Sequence, residues 1–311
     1  MGTGTETPGS APGYVLVFKT HAWDPFIARQ FERYKARCCH GALVVLADET
    51  GGPLGPIPHD HVIRTTNAEL LALGLADAYG KGGLIWWNTD YPNYLAYQRL
   101  PGYGHYMFVE YDTCAALDID AFVAEVAARQ LDLVALPTRQ DKASWYWTKW
   151  HEAAYAYDEM QGSLNCVSVF SGRAMDLLLR RRQEMAREHA AGTLKFWPGN
   201  EVFVATEIGR AGYRFASLEE FGNADRYEWH PPILEDDMPE AEDLFLHPVL
   251  DRRRYIASVL KFEFDLSSYL TPSSKLRREL ARFPARDYVP HMPGAFRRQV
   301  MVKLRQKLGA I

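Results

Sequence analysis

Tyr14-Val-Leu-Val-Phe18 and Gly41-Ala-Leu-Val-Val-Leu-Ala47 are the two segments that decide the fold of this chain of 311 residues. Each is a short run of apolar, β-branched and aromatic residues next to glycine or a polar turn, which is typical of a strand buried on both faces. Between them, residues 25–37 carry apolar side chains on one helical face. Strand, helix and strand in this order predict a βαβ unit on a parallel sheet.

The same alternation continues along the chain. Further helices are expected at 67–78, 120–130, 173–189 and 201–212, and further strands at 106–112, 132–136 and 165–170. Asp118 and Ser171 precede two of these helices and are suitable N-caps. The fold class is therefore α/β, with a Rossmann-like, mostly parallel sheet flanked by helices and a C-terminal helical or irregular extension.

Composition and charge limit the classes of protein to consider. Hydrophobic residues make up 47% of the chain, enough for a full-sized core, and no run approaches the ~20 apolar residues of a membrane span. The four cysteines fit a reducing compartment, and none of them has the C-x-x-C spacing of a metal or redox motif. Residues 1–13 are polar and rich in Gly and Pro, and they lack the parts of a signal peptide. We expect a disordered lead-in at 1–13 and a cytoplasmic protein.

The charge is unevenly distributed. Residues 218–243 hold ten acids and one base, whereas residues 271–311 hold ten Lys/Arg and two acids. The basic tail suggests a surface role. Because the rest of the chain is acidic, nucleic acid is not an expected partner.

The sequence lacks the motifs of three common catalytic folds. The sequence has no G-x-x-x-x-G-K-[ST] loop, no G-x-G-x-x-G after the first strand and no G-x-S-x-G elbow. P-loop NTPases, ordinary dinucleotide dehydrogenases and α/β-hydrolases are therefore disfavoured.

Polar residues follow three predicted strands: Thr20-His21-Ala22-Trp23, Asp48 and Glu110-Tyr111-Asp112. Ligands gather at the carboxyl ends of strands in open parallel sheets. Strand alternation would place Glu110 and Asp112 on the same side, where two carboxylates suit Mg²⁺ or Mn²⁺. The alternative is a strand that ends in solvated acids.

The order of these features resembles the nucleotide-sugar-binding half of GT-A-type glycosyltransferases. A first strand, a second strand ending in Asp48, a helix and the aromatic stretch Trp86-Trp-Asn-Thr-Asp-Tyr-Pro-Asn-Tyr94 lead into Tyr106-Met-Phe-Val-Glu-Tyr-Asp112. In that family a D-x-D-like motif after a central strand binds a divalent metal and the donor diphosphate. Here the motif reads Glu-Tyr-Asp, so its first acid departs from the common form.

Three later segments extend the resemblance to residues 14–250. Asn165-Cys-Val-Ser-Val-Phe-Ser-Gly-Arg173 is similar to the segment lining the sugar site, Gly199-Asn-Glu-Val-Phe203 to the segment carrying a general base, and Leu246-His-Pro-Val249 to a histidine segment that closes over the diphosphate. The resemblance implies Glu201 as the base and Asp112, Glu110 and His247 as ligands of Mn²⁺ or Mg²⁺. It implies donor contacts from Thr20, His21, Trp23, Asp48, Glu110, Asp112 and Ser171.

The residues themselves leave alternatives open. Glu201 precedes an apolar helix, where a carboxylate serves equally as a first-turn acid. A lone His247 is often structural. Most of the aromatic residues are expected in the core, whereas Trp145 and Trp147, near Lys142 and Lys149, are the better candidates for an acceptor site.

The predicted function is a metal-assisted glycosyltransferase that moves a sugar from a nucleoside diphosphate sugar to a glycan, a lipid-linked glycan or another hydroxyl acceptor. The alternatives are an inactive sugar- or nucleotide-binding relative and a nucleotidyltransferase. The expected domains are a catalytic domain at 14–250 and a basic extension at 251–311 that packs on it.

The end of the extension is a basic amphipathic pattern. Residues 295–311 interleave five Lys/Arg with apolar residues and hold no acid. Such a helix either lies at the inner face of a membrane or docks its apolar face on the catalytic domain.

Overall fold

A seven-stranded sheet forms the centre of the fold. The computed structural model describes residues 13–78 and 84–307. The strands along the described part of the chain are β1 Tyr14–Thr20, β2 Ala42–Asp48, β3 Val62–Thr65, β4 His105–Glu110, β5 Cys114–Ala116, β6 Leu133–Pro137, β7 Ser163–Ser171, β8 Phe215–Ser217, β9 Ile233–Leu234, β10 Leu244–Leu246 and β11 Val249–Leu250. The order in the central sheet is β3-β2-β1-β4-β7-β6-β8, and only β7 runs antiparallel to its neighbours. The predicted α/β class with a mostly parallel sheet is confirmed.

Helices cover this sheet and build the C-terminal part. Their bounds are α1 Pro25–Lys35, α2 Asn67–Ala72, α3 Leu84–Trp87, α4 Tyr91–Arg99, α5 Ile119–Ala128, α6 Thr148–His151, α7 Gly172–Ala190, α8 Asn200–Arg210, α9 Arg252–Lys261, α10 Leu266–Leu270, α11 Lys275–Leu280, α12 Ala285–Tyr288 and α13 Met292–Lys307. Asp118 and Ser171 cap α5 and α7 as predicted, each accepting a hydrogen bond from a backbone N–H three residues on.

The first strand shows why both faces of the sheet must be covered. Val15 and Val17 belong to the same buried cluster as Tyr94 of α4 and Leu178 of α7. Phe18 points to the other face, where its ring lies 5.4 Å from that of Phe31 in α1. A continuous apolar strand is therefore stable only because helices shield it from water on both sides.

Helix α2 and strand β4 end earlier than the sequence pattern suggests. Helix α2 stops at Ala72 because Gly74 takes a positive φ of 78°, which ends the predicted 67–78 helix. Strand β4 stops at Glu110, where the Thr113 N–H donates to the Glu110 carbonyl and closes a turn. Strand alternation therefore does not extend from Glu110 to Asp112.

The chain forms two compact units. Residues 1–225 and 241–245 make up the first, and residues 226–240 and 246–311 make up the second. The second unit starts well before residue 251, the boundary expected from the sequence. The reason is that β9 pairs with β11, which places Leu234 and Leu250 in one core with α9. The expected lead-in at 1–13 lies outside the described residues except for Gly13.

The basic C-terminal segment is the helix α13. Ala295 and Gln299 are buried in the second unit, and Gln299 Nε2 donates to the Lys261 carbonyl at 2.7 Å. Met301 and Leu304 are exposed. One face of the helix therefore packs within its own unit, while two of its apolar side chains, Met301 and Leu304, face water. No helix among the described residues combines the length and hydropathy needed to cross a membrane.

Candidate functional site

The carboxyl ends of β1, β2, β3 and β4 meet around one cavity in the first unit. The strand registers pair Lys19 with Glu110 and Asp48 with Thr65, which brings these side chains to the same edge. The cavity, called here the strand-end cavity, has a volume of about 130 Å³. Its lining is Lys19, Thr20, His21, Leu46, Asp48, Thr65, Ile85, Thr89, Pro92, Glu110 and Tyr111.

Four of the residues predicted from the sequence to contact the nucleotide-sugar donor line this cavity: Thr20, His21, Asp48 and Glu110. The Thr20 hydroxyl donates to the Ala22 carbonyl at 2.6 Å, which shapes the turn after β1. Asp48 accepts from the Thr50 N–H and hydroxyl at 2.9 and 2.7 Å. The His21 ring lies edge-on to Tyr111 at 4.9 Å. The structure thus joins three separate segments of sequence into one polar site.

Lys19 is a cation in this cavity that the sequence analysis did not single out. Its Nζ lies 3.3 Å from Glu110 Oε1 and donates to the Thr89 carbonyl at 3.1 Å. The side chain is mostly buried, so its charge is weakly screened. A signal was present in the sequence, because Lys19 is the one charged residue within an otherwise apolar or uncharged strand, Tyr14–Thr20.

Thr65 adds an unused polar group. Its side chain is fully buried at the end of β3, and its hydroxyl has no hydrogen-bond partner among the described residues. A buried hydroxyl without a partner costs free energy unless a water or a ligand satisfies it. The strand-end cavity therefore offers polar groups to a ligand, together with a partly shielded positive charge.

A second cavity in the same unit contains Glu201. It has a volume of about 210 Å³ and is called here the tryptophan cavity. Its lining is Trp86, Trp87, Trp147, His151, Gly199, Asn200, Glu201 and Val202. Burial, and secondly the charge of Glu110, raises the pKa of the Glu201 carboxyl to about 7. A carboxyl with this pKa exchanges a proton readily at neutral pH.

Buried hydrogen bonds fix the backbone that presents Glu201. Arg182 Nη1 donates to the Pro198 carbonyl at 2.9 Å, and Trp87 Nε1 donates to the Trp197 carbonyl at 3.1 Å. Arg182 is itself held by Asp90, with nitrogen–oxygen distances of 2.8 and 3.2 Å. The segment entering α8 is therefore anchored by groups that water does not reach.

His151 completes this anchoring in a single tautomer. Its Nδ1 lies 2.7 Å from the Trp147 carbonyl and must donate, so Nε2 accepts from the Gly199 N–H at 3.0 Å. Burial lowers the pKa of His151 to about 4. His151 is thus neutral at physiological pH, as its hydrogen bond to Gly199 requires.

Three carboxylates, those of Glu110, Asp112 and Glu201, act on the thiol of Cys166. Burial raises the pKa of the Cys166 thiol, and the charges of Glu110, Asp112 and Glu201 raise it further, while Lys19 opposes them. These three carboxylates therefore lie within electrostatic reach of one partly buried thiol. Their oxygens are the donors that Mg²⁺ and Mn²⁺ prefer, so the residues of this unit fit a divalent cation.

Not every residue that is predicted to contact the nucleotide-sugar donor reaches the strand-end cavity. Ser171 lies beside His105, at the opposite end of the sheet, because β7 runs antiparallel to β4. There it caps α7 and donates to Asp132 at 2.7 Å. Trp23 packs on Phe18 and Phe31 and does not line the cavity.

Four further predicted residues are placed as follows. Asp112 lies in the turn after β4 and outside the cavity lining. His247 belongs to the second unit, where its Nδ1 lies 2.7 Å from the Glu228 carbonyl and its ring packs on Tyr227. Of the two acceptor-site candidates, Trp147 lines the tryptophan cavity, whereas Trp145 is buried and does not.

No protein-family model matches the chain, and no curated protein matches it in sequence. Similar solved structures include mouse xyloside xylosyltransferase 1, at 12% identity and a TM-score of 0.42, covering 75% of this chain and 97% of that one. A glycosyltransferase involved in the glycosylation of the major capsid of PBCV-1 is 10% identical, with a TM-score of 0.36, and the match covers 76% of this chain and 92% of that one. The galactosyltransferase LgtC is 8% identical, with a TM-score of 0.40, and the match covers 71% of this chain and 76% of that one. Similarity at TM-scores below 0.5 decides neither activity nor substrate. All three are glycosyltransferases.

Proposed function

We propose that the protein is a glycosyltransferase that moves a sugar from a nucleoside diphosphate sugar to a hydroxyl acceptor, with inversion at the anomeric carbon. The observation that carries this proposal is the position of Glu201. Its carboxyl has a pKa of about 7, lines the tryptophan cavity and interacts electrostatically with Glu110 of the strand-end cavity. A base that lines one cavity and senses the charge of a residue lining the other suits a transfer between two substrates.

The strand-end cavity would hold the diphosphate part of the donor. Lys19 is a mostly buried cation at the end of β1, where an ammonium group stabilises phosphate oxygens. The charge on the leaving diphosphate grows as the bond to the sugar breaks, so this fixed cation favours the transition state. His21, Asp48 and Thr65 would supply the neighbouring polar contacts.

A divalent cation, Mn²⁺ or Mg²⁺, would be held by Asp112 and Glu110. Bound there, it would supply Lewis-acid stabilisation of the leaving diphosphate. His247 is proposed as a further ligand. Its Nδ1 lies 2.7 Å from the Glu228 carbonyl, the kind of second hydrogen bond that metal-binding histidines make.

Glu201 would act as the general base. The acceptor oxygen forms a bond to the anomeric carbon, the bond from that carbon to the diphosphate oxygen breaks, and the acceptor proton passes to Glu201. The nucleoside diphosphate leaves with the electron pair of the broken bond. His151 and Arg182 serve as positioning residues, because their hydrogen bonds fix the backbone just before Glu201.

The assay that tests this function measures products from a panel of nucleotide sugars with and without Mn²⁺. The proposal predicts release of a nucleoside diphosphate from at least one donor. Binding without any cleavage would support the inactive relative instead. Release of pyrophosphate from a nucleoside triphosphate and a sugar phosphate would support a nucleotidyltransferase.

We also propose that α13 contacts an anionic membrane surface, which would suit a lipid-linked acceptor and a place at the inner face of the membrane. Its exposed Met301 and Leu304, with basic residues nearby, support this role. Sedimentation with anionic vesicles should fall when the chain ends at Pro293. Equal binding by both forms, or none by either at low salt, would contradict it.

A further inference from the structure

The tryptophan cavity continues into an aromatic surface. Trp86 at the cavity and Tyr146 and Trp150 beside it are 63%, 64% and 47% exposed. The Tyr146 ring lies 4.9 Å from Trp147 and 6.3 Å from Trp150, and Trp147 lies 5.2 Å from Trp87. A chain of neighbouring rings therefore runs from the cavity wall to the solvent through Trp87, Trp147, Tyr146 and Trp150. Its two exposed members, Tyr146 and Trp150, are called here the aromatic rim.

This exposure is not explained by packing. Core aromatics nearby, such as Trp87 and Tyr155, are buried as expected. Large aromatic side chains grouped together in water mark binding surfaces more often than they serve stability. The transfer chemistry requires Glu201 from this cavity but does not require the aromatic wall.

The chemistry of the cavity restricts its ligand. Its volume of about 210 Å³ lies below the ~300–1,000 Å³ of pockets for drug-sized molecules, so it suits a single ring. The described lining of this cavity contains the carboxyl of Glu201 and no cation, since His151 is neutral, so it disfavours an anionic ligand such as a phosphate or a nucleotide. Aromatic faces stack on the apolar faces of sugars, and Asn200 and Glu201 can bond to hydroxyls.

We propose that the acceptor is a neutral oligosaccharide, with its terminal pyranose in the tryptophan cavity and its next ring on the aromatic rim. This inference rests on the proposed function, since it names the acceptor of the same site. The terminal ring lies beside Glu201, which takes the proton from its hydroxyl. The rim extends the contact to a second ring, so an oligosaccharide binds more tightly than the matching monosaccharide.

Saturation-transfer NMR with neutral methyl glycosides and their matching di- and trisaccharides tests the inference without a donor. The intact chain should bind at least one oligosaccharide more tightly than its monosaccharide. Trp150→Ala should reduce that ratio of affinities about three- to tenfold, the value of one stacking contact. Trp86→Ala should weaken both ligands. Trp229→Ala, an exposed tryptophan of the second unit, is the matched control and should change neither.

Two results would overturn the inference. One is that no neutral sugar of the panel binds, and the other is that Trp150→Ala and Trp229→Ala leave the same affinity ratio. The same preparations are assayed for cleavage of nucleotide sugars. Cleavage without sugar binding rejects the oligosaccharide acceptor and keeps the proposed function, whereas sugar binding without cleavage of any donor rejects the transferase.

Discussion

Glu110 at the end of β4 acts electrostatically on Glu201 in the first turn of α8. Burial is the larger cause and the charge of Glu110 the smaller cause that raise the pKa of Glu201 to about 7. Glu110 lines the strand-end cavity and Glu201 lines the tryptophan cavity. The protonation of the proposed base therefore depends on a residue of the proposed donor site. This coupling connects the two halves of the reaction in one electrostatic environment.

The first prediction concerns pH. A general base works only when deprotonated, so kcat/KM should rise with pH through about 7 and then level off. Glu110→Gln removes a negative neighbour, so the midpoint should move to lower pH. A rate profile without an inflection between pH 6 and 8, or a midpoint unmoved in Glu110→Gln, would contradict the role of this pair.

The second prediction concerns Lys19. Replacing it with Met should weaken the binding of a nucleoside diphosphate about tenfold or more, because a charge-assisted contact contributes about 1.5–3 kcal/mol. Lys142→Met is the control, since Lys142 lies outside the strand-end cavity and donates to the Tyr157 carbonyl. Calorimetry measures both. Equal affinity in the two variants would remove Lys19 from the donor site.

The third prediction concerns the metal. Asp112→Asn should nearly abolish transfer with the fold intact, and Glu110→Gln should weaken it less. Binding of Mn²⁺ alone, followed by electron paramagnetic resonance, should fall in the same order. Normal Mn²⁺ affinity and activity in Asp112→Asn would refute the assignment.

The fourth prediction concerns the buried pair Asp90 and Arg182. Asp90→Asn leaves the buried guanidinium without its counter-charge, so the free energy of unfolding should fall by about 3–5 kcal/mol. Denaturant unfolding with circular dichroism measures it. Asp176→Asn, which breaks the exposed pair with Arg180, should cost less than about 1 kcal/mol. Equal costs at the two sites would mean that Arg182 is not a buried anchor.

The sequence predicts the strands well because burial on both faces leaves a clear pattern. The apolar runs of β1, β2 and β4 identify the sheet, and the rule that ligands gather at strand ends locates Thr20, His21, Asp48 and Glu110. Strand direction leaves no such pattern. The resemblance implies Ser171 at the donor site, but the antiparallel β7 carries it to the opposite end of the sheet.

The groups that position Glu201 are harder to infer from sequence. Arg182 follows Arg180 and Arg181, a run that suggests a solvated helix face. Only its helical spacing from the buried Leu178 and Met185 indicates that it points inward. His151 depends on a contact with Gly199, 48 residues away, which no local pattern encodes.

The most direct test of the central claim compares the intact chain with Glu201→Gln in a transfer assay. With a donor from the nucleotide-sugar panel and its acceptor, Glu201→Gln should lower turnover about 100-fold or more, the contribution typical of general base catalysis. The affinity for the donor should change little, because the proton moves only in the transition state. Unchanged turnover in Glu201→Gln, with the fold intact, would contradict the account.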